Sequence, residues 1–219
     1  GESYGNIDLG QGRKVQVEFV SANPTGPLTI GSGRNAAYGD SLANVLEAAG
    51  YQVEREYYVN DAGTQMRLFA QTLYARYAQA LGREEAIPEN GYQGAYMVDM
   101  GQEIAAEEGD RFLRMDREEA IEAISVLGLE KMLRTIRDDL AALGIHHDTW
   151  FSERSIYQGE LFQRVMTILR QGGFVAEREG AVWFTSTGLG EDKDNVIIRS
   201  DGSPGYFASD IAYHYNKFV

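Results

Sequence analysis

The chain has 219 residues, a formal net charge of −13 and 43% hydrophobic residues, with no cysteine and three histidines. That length suits one large domain, or one domain carrying an insertion, with enough apolar content to bury a core. The acidic balance runs against a stand-alone nucleic-acid binder, which needs clustered cations to neutralise phosphates, and the lack of cysteine rules out disulfides and thiolate metal sites.

Residues 1–13 are polar, Gly-rich and aperiodic and read as a tail or linker, with order expected from Val15. In VQVEFV, Val15, Val17 and Phe19 alternate with Gln16 and Glu18, the pattern of a strand. SANPTGPLTIGSGRNAAYGD packs Pro, Gly and small polar residues into one turn, then becomes helical from about Gly33 to Ala49, with Gly50 as the stop. YQVEREYYVND is a second strand, and Asp61 is placed to cap the helix through MRLFAQTLYARYAQAL. This order begins a parallel α/β sheet, in which ligands sit beyond the carboxyl ends of the strands. Helix starts of this kind hold anions, so the turn is a candidate phosphate site.

From Gly82 to about Met115 the periodicity is lost. PENGYQGAYMVDM reads as loop and GQEIAAEEGDRF as a short charged segment, so residues 83–117 are taken as an inserted small subdomain. REEAIEAISVLGLEKMLRTIRDDLAALG is a long amphipathic helix ending near Gly144. HHDTWF reads as a strand that turns His146 and His147 to opposite faces, so no built-in metal site is expected. ELFQRVMTILRQGG is a helix, and FVAEREGAVWFTST two short strands about a Glu-Gly turn. NVIIRSDGSPGYFASDIAYHYNKF reads as a strand, a turn and a helix from near Ala208. The chain stops at Val219 in or just after that helix, the pattern expected of a fragment. With no long apolar run and no signal-like N-terminus, a cytoplasmic protein without membrane contact is expected.

VEFVSANPTGPLTIGSGRNAAYGDSLANVLEAAGYQVEREYYVNDAGTQ is similar, nearly residue for residue, to the first half of the catalytic domain of arginyl-tRNA synthetases, which are class I aminoacyl-tRNA synthetases. GAYMVDM, GIHHDTWFSERSIY and EDKDNVIIRSDGSPGYFASDIAYHYNKF extend the resemblance, in order, over almost the whole chain from Val15. It implies a Rossmann-like parallel α/β fold: residues 14–82 as the first half of the catalytic domain, 83–117 as the insertion, and 118–219 as a truncated continuation. It also implies that ATP, with Mg2+ accompanying the nucleotide, and L-arginine give arginyl-adenylate, from which arginine passes to tRNA(Arg). In the family a His-x-Gly-His motif lies in the turn; here the four positions are Thr29, Ile30, Gly31 and Ser32, so both histidines are replaced. The resemblance assigns catalysis to Thr29, Gly31 and Ser32 and ATP binding to Pro27, Leu28, Thr29, Gly31 and Ser32. Two readings stay open: the hydroxyls donate to phosphate in place of imidazoles, or the site is degenerate.

A pocket for a guanidinium should offer carboxylates in its plane and a phenol or amide beside them. By resemblance, Glu18 and Asp210 are the acceptors with Tyr206 beside them, while Ser21 and Asn23 hold the α-amino and carboxylate groups. Without the family, Glu18 also fits a solvated strand face, Asp210 a favourable charge near a helix start, and Tyr206 a packed ring. Asn60, Asp61 and Gln65 lie at a strand end near the ligand region. A partial catalytic domain inactive alone is expected; the alternative is a non-catalytic arginine- or nucleotide-binding paralogue. Most of the tRNA surface is expected outside this chain.

Overall fold

The alternation at Val15, Val17 and Phe19 does produce a strand, β1 (Lys14–Glu18), with Val17 and Phe19 buried. Its parallel partner β2 (Gln52–Val59) pairs Lys14 with Gln52 through Glu18 with Glu56. Strand β3 (Thr149–Ser152) completes the sheet in the order β1-β2-β3. The computed structural model describes residues 5–219, apart from the side chain of Tyr206, and divides into two units, Gly1–Phe151 and Ser152–Val219.

Between β1 and β2 runs helix α1 (Ile30–Ala48), which starts three residues earlier than the composition of the turn suggests and ends before Gly50, at φ 88°. Its buried residues, Ala36, Gly39 and Ala43, are all small and recur at helical spacing. They set how closely α1 approaches the sheet: a Cβ on Gly39 would lie 2.2 Å from the Phe19 ring. Arg55 of β2 also ties the helix to the sheet, donating to Glu47 at 2.6 Å and Asn44 at 2.7 Å. Its bond to Glu47 holds that carboxyl below the usual carboxylate range and raises the guanidinium in turn. The expected loose tail is also tied here. Ile7, Gly10 and Gly12 donate to the carbonyls of Ala48, Ala49 and Gly50, so order begins before Val15.

Helix α2 (Gly63–Ala80) contributes the fully buried Phe69, Leu73 and Tyr77 to the main core. Its N-cap is Ala62, with no side-chain cap bond; Asp61 is buried one residue before the cap position. The region read as aperiodic contains α3 (Ala95–Glu108) and a 3-10 turn at Arg111–Arg114. Met97, Met100, Gly101 and Ile104 form α3's buried stripe, and Lys131 of α4 (Arg117–Ala142) bridges its Glu103 and Glu107. Asp116 caps α4 by accepting from the Glu118 and Glu119 amides.

His146 and His147 precede β3 rather than lying in it. His147 packs its ring 4.3 Å from that of Phe19 and edge-on to Tyr57 and Trp150. Neither ring nitrogen has a hydrogen-bond partner among the described residues. Burial lowers its pKa, against smaller opposing effects of the Phe19 backbone and the Asp148 carboxylate.

The second unit holds α5 (Glu153–Gln158), α6 (Leu161–Gln171), β4 (Val175–Arg178), β5 (Ala181–Phe184), β6 (Asn195–Ile198) and α7 (Tyr206–Asn216). Its strands form a separate antiparallel sheet, β4-β5-β6, instead of extending the parallel one. The reason is local. Only two residues, Glu179 and Gly180, join β4 to β5, both at positive φ, and so tight a connection permits only antiparallel pairing. Met166, Ile197 and Ala208 form its core with Phe162, Val182 and Phe184 packed around them.

Two outcomes are expected. Gly39→Ala, which in an exposed helix would stabilise by about 1 kcal/mol, should instead cost about 1–3 kcal/mol through overpacking against Phe19; an unchanged or raised Tm would contradict the packing described. Because His147 is held neutral in the folded state, its contribution to stability is present above its unfolded pKa and is lost as pH falls through and below it. Urea midpoints measured from pH 8 to pH 5 should therefore fall less in His147→Phe than in the unaltered protein.

Candidate functional site

The turn between β1 and α1 begins with two consecutive non-glycine residues in the left-handed region, Val20 at φ 65° and Ser21 at φ 41°. For a β-branched residue this is a true outlier, and such conformations cost about 1–3 kcal/mol each and persist only when surroundings over-determine them. Here they do. The Val20 amide donates to Asn35 Oδ1 at 2.7 Å, and the Ser21 amide to the Phe19 carbonyl at 3.0 Å. Ser21 Oγ donates to Glu18 Oε1 at 2.8 Å while accepting from the Tyr58 amide at 3.1 Å.

Further on, the Tyr57 hydroxyl donates to the Ala22 carbonyl at 2.9 Å, and burial pushes its pKa up to about 12. Asn23 Nδ2 donates to Gln65 Oε1 on α2 at 2.7 Å. The Tyr96 hydroxyl on α3 donates to the Thr25 carbonyl at 2.7 Å. Leu28 packs on the main core, whereas Pro27 is exposed. The turn is therefore held from β2, α1, α2 and α3 at once.

It delivers the chain into a capped helix. Thr29 is the N-cap of α1 and forms a capping box with Ser32: Thr29 Oγ1 accepts from the Ser32 amide at 3.2 Å, and Ser32 Oγ from the Thr29 amide at 3.3 Å. The two hydroxyls also lie 3.1 Å apart. The first turn carries no acidic residue, so its positive end is not neutralised from within. By helix geometry the Ile30 and Gly31 amides have no intrahelical acceptor. The helix surface at its first glycines is open: a Cβ on Gly33 would meet nothing within 4 Å, and one on Gly31 only Thr29 Oγ1 at 3.4 Å.

The structure thus brings Glu18 and Ser21 into direct contact and joins Thr29 to Ser32, but it spends the Ser21 hydroxyl on Glu18 and Tyr58. Glu18 is exposed and also takes part in interactions beyond this bond. Asp210 lies exposed on α7 in the second unit, one helical turn from Tyr206, whose side chain lies outside the described residues. The Asp210 carbonyl is 2.7 Å from His214 Nδ1. Sequence reasoning missed Asn35, Tyr57, Tyr58 and Tyr96. Their partners lie 15 to 71 residues away, so no local pattern marks them. Among the described residues no group of three or more His, Asp or Glu is arranged to hold a metal ion, and no helix is long and apolar enough to cross a membrane.

Comparison with known proteins gives one consistent result. The family model for the catalytic domain of class I tRNA synthetases (R) matches residues 2–218. An arginine–tRNA ligase of Dehalococcoides mccartyi is 55% identical over 217 residues, covering 99% of this chain and 39% of that protein. One from Carboxydothermus hydrogenoformans is 47% identical over 218 residues, with 100% and 39% covered. A solved arginyl-tRNA synthetase structure from Campylobacter jejuni superposes with a TM-score of 0.88 at 36% identity, covering 99% of this chain and 47% of that one. The Thermus thermophilus enzyme gives 0.64 at 27% identity, with 93% and 36% covered. The chain therefore spans about 39% of the length of the curated relatives it matches.

Removing the cap should show in stability whatever the turn binds. Thr29→Ala is expected to cost about 1 kcal/mol, lowering Tm by roughly 2–4 °C; a thermal melt unchanged by the substitution would contradict the capping box.

Proposed function

The chain belongs to the family of class I arginyl-tRNA synthetase catalytic domains, and from that premise we propose that it forms part of an arginine–tRNA ligase. The observation that carries the reading is the start of α1: a capped, acid-free helix N-terminus at the carboxyl end of a parallel strand, with open space over its first glycines. In the reaction, the arginine carboxylate attacks the α-phosphorus of ATP and pyrophosphate leaves. The terminal ribose hydroxyl of tRNA(Arg) then attacks the adenylate carbonyl and AMP leaves.

In this reading the Ile30 and Gly31 amides and the hydroxyls of Thr29 and Ser32 face the phosphates, supported by Pro27 and Leu28 in the turn. Their role is to stabilise negative charge as it shifts, with donors fixed before reaction. Glu18 in the first unit is proposed as an acceptor for the guanidinium, and the resemblance gives Asp210, with Tyr206 one turn earlier on α7, the same arginine-binding role. Ser21 and Asn23 hold the α-amino and carboxylate groups. Magnesium arrives with the nucleotide, and most of the tRNA surface belongs to regions beyond this chain. We place the protein in the cytoplasm and take 83–117 as an insertion in the sheet's connectivity. One observation favours a second reading, a non-catalytic binding paralogue: the Thr29 and Ser32 hydroxyls are already engaged with each other and with the helix start.

Calorimetric titration with a non-hydrolysable arginyl-adenylate analogue tests the proposal. Binding is expected, weakened at least about tenfold by Glu18→Gln and by Asp210→Ala, since each removes a bond to a charged group. No binding by the unaltered chain would overturn the ligase reading of the turn. Binding only by the Thr29→His, Ser32→His double variant would favour the degenerate paralogue.

A further inference from the structure

Two backbone carbonyls in the turn, those of Ala22 and Thr25, are each held by a tyrosine hydroxyl. One tyrosine, Tyr57, is in the sheet itself; the other, Tyr96, sits at the second position of α3, 71 residues from its partner. The ring of Tyr96 lies between two glycines. A Cβ on Gly94, the N-cap of α3, would be 2.4 Å from that ring, and a Cβ on Gly26 would be 3.2 Å from its hydroxyl. A side chain at 94 obliges the ring to move, and one at 26 crowds the hydroxyl, which must give by a few tenths of an ångström.

Thr25 is only 7% exposed, so its carbonyl without Tyr96 would be a buried acceptor lacking this donor. Burial raises the hydroxyl's pKa, with a smaller contribution from Tyr92, so it stays a neutral donor at physiological pH. From Thr25 only three residues, Gly26, Pro27 and Leu28, lead to the N-cap Thr29. A displacement of Thr25 is therefore passed to the start of α1 with little slack.

We infer that Tyr96 is a positioning residue, through which α3 holds the segment Thr25–Thr29 in the shape that presents the start of α1 to a nucleotide phosphate. The inference rests on the nucleotide reading of the turn above. It gives the 83–117 region a mechanical part in the site. The residue touches neither phosphate nor arginine; it acts through the Thr25 carbonyl.

The test is amide hydrogen exchange on this chain, comparing Tyr96→Phe, Gly26→Ala and the double variant. Tyr96→Phe should speed exchange of the hydrogen-bonded amides of Thr29, Ser32 and Gly33 roughly three- to tenfold while α4 amides keep their protection. Gly26→Ala should do the same by crowding the hydroxyl, and should add less in the Tyr96→Phe background, where that hydroxyl is gone. Unchanged exchange at Thr29, Ser32 and Gly33, or strict additivity of the two substitutions, would overturn the inference. A parallel titration with a magnesium-bound, non-hydrolysable ATP analogue separates positioning from mere packing. Affinity should fall in Tyr96→Phe by a factor similar to the exchange change, whereas faster exchange with unaltered affinity would overturn the positioning role. If the unaltered chain binds no nucleotide, the nucleotide reading of the turn fails, and the exchange data alone decide whether Tyr96 holds the segment.

Discussion

The close approach of α1 to β1, set by the absence of a side chain at Gly39 over the Phe19 ring, is the constraint on which the rest of the first unit depends. With Ala36 and Ala43 on the same stripe, it brings the helix near enough for Asn35 to reach back to the Val20 amide. That bond helps hold Val20 and Ser21 in conformations the chain would otherwise avoid. A bulkier stripe would lift the helix and release the turn. Arg55, bridging β2 to Glu47 and Asn44, fastens the same helix along the adjoining stripe.

The consequence is a helix N-terminus whose position is fixed by packing rather than by ligand. Donors aimed at developing charge work best when they need no rearrangement at the moment of reaction. The turn meets that condition through bonds from four elements, each made with a side chain outside the turn. Thr29 and Ser32, at the positions where the resemblance implies histidines, form a self-capping pair. In the proposed function this leaves the phosphate-facing work largely to the Ile30 and Gly31 amides.

Much of this was legible in the sequence. The alternation of Val15, Val17 and Phe19, the glycine at 50, the long amphipathic run ending near Gly144 and the Glu-Gly hairpin each carry one strong local signal, and each forms the element it suggests. Helix α3 was not read because its buried stripe is built from Met97, Met100, Gly101 and Ile104, a mixture that looks weakly apolar although its spacing is helical. Asp61 resembled a cap by type and place, yet the chain extends one residue further and Asp61 is buried instead. At Thr29 and Ser32 the resemblance points to ligand contact. Their spacing also fits a capping box, with serine in place of the usual Glu or Gln. The tyrosines that hold the turn act across long sequence separations, where one sequence carries no signal.

The central claim is that the first turn of α1 is a preformed receiver for a nucleotide phosphate. The most direct measurement is an amide NMR titration of the chain with magnesium ATP. The account predicts that the Ile30, Gly31, Ser32 and Gly33 amides shift together and saturate, with those of α4 unmoved. Shifts scattered over the surface, or confined to residues remote from the β1–α1 turn, would contradict it.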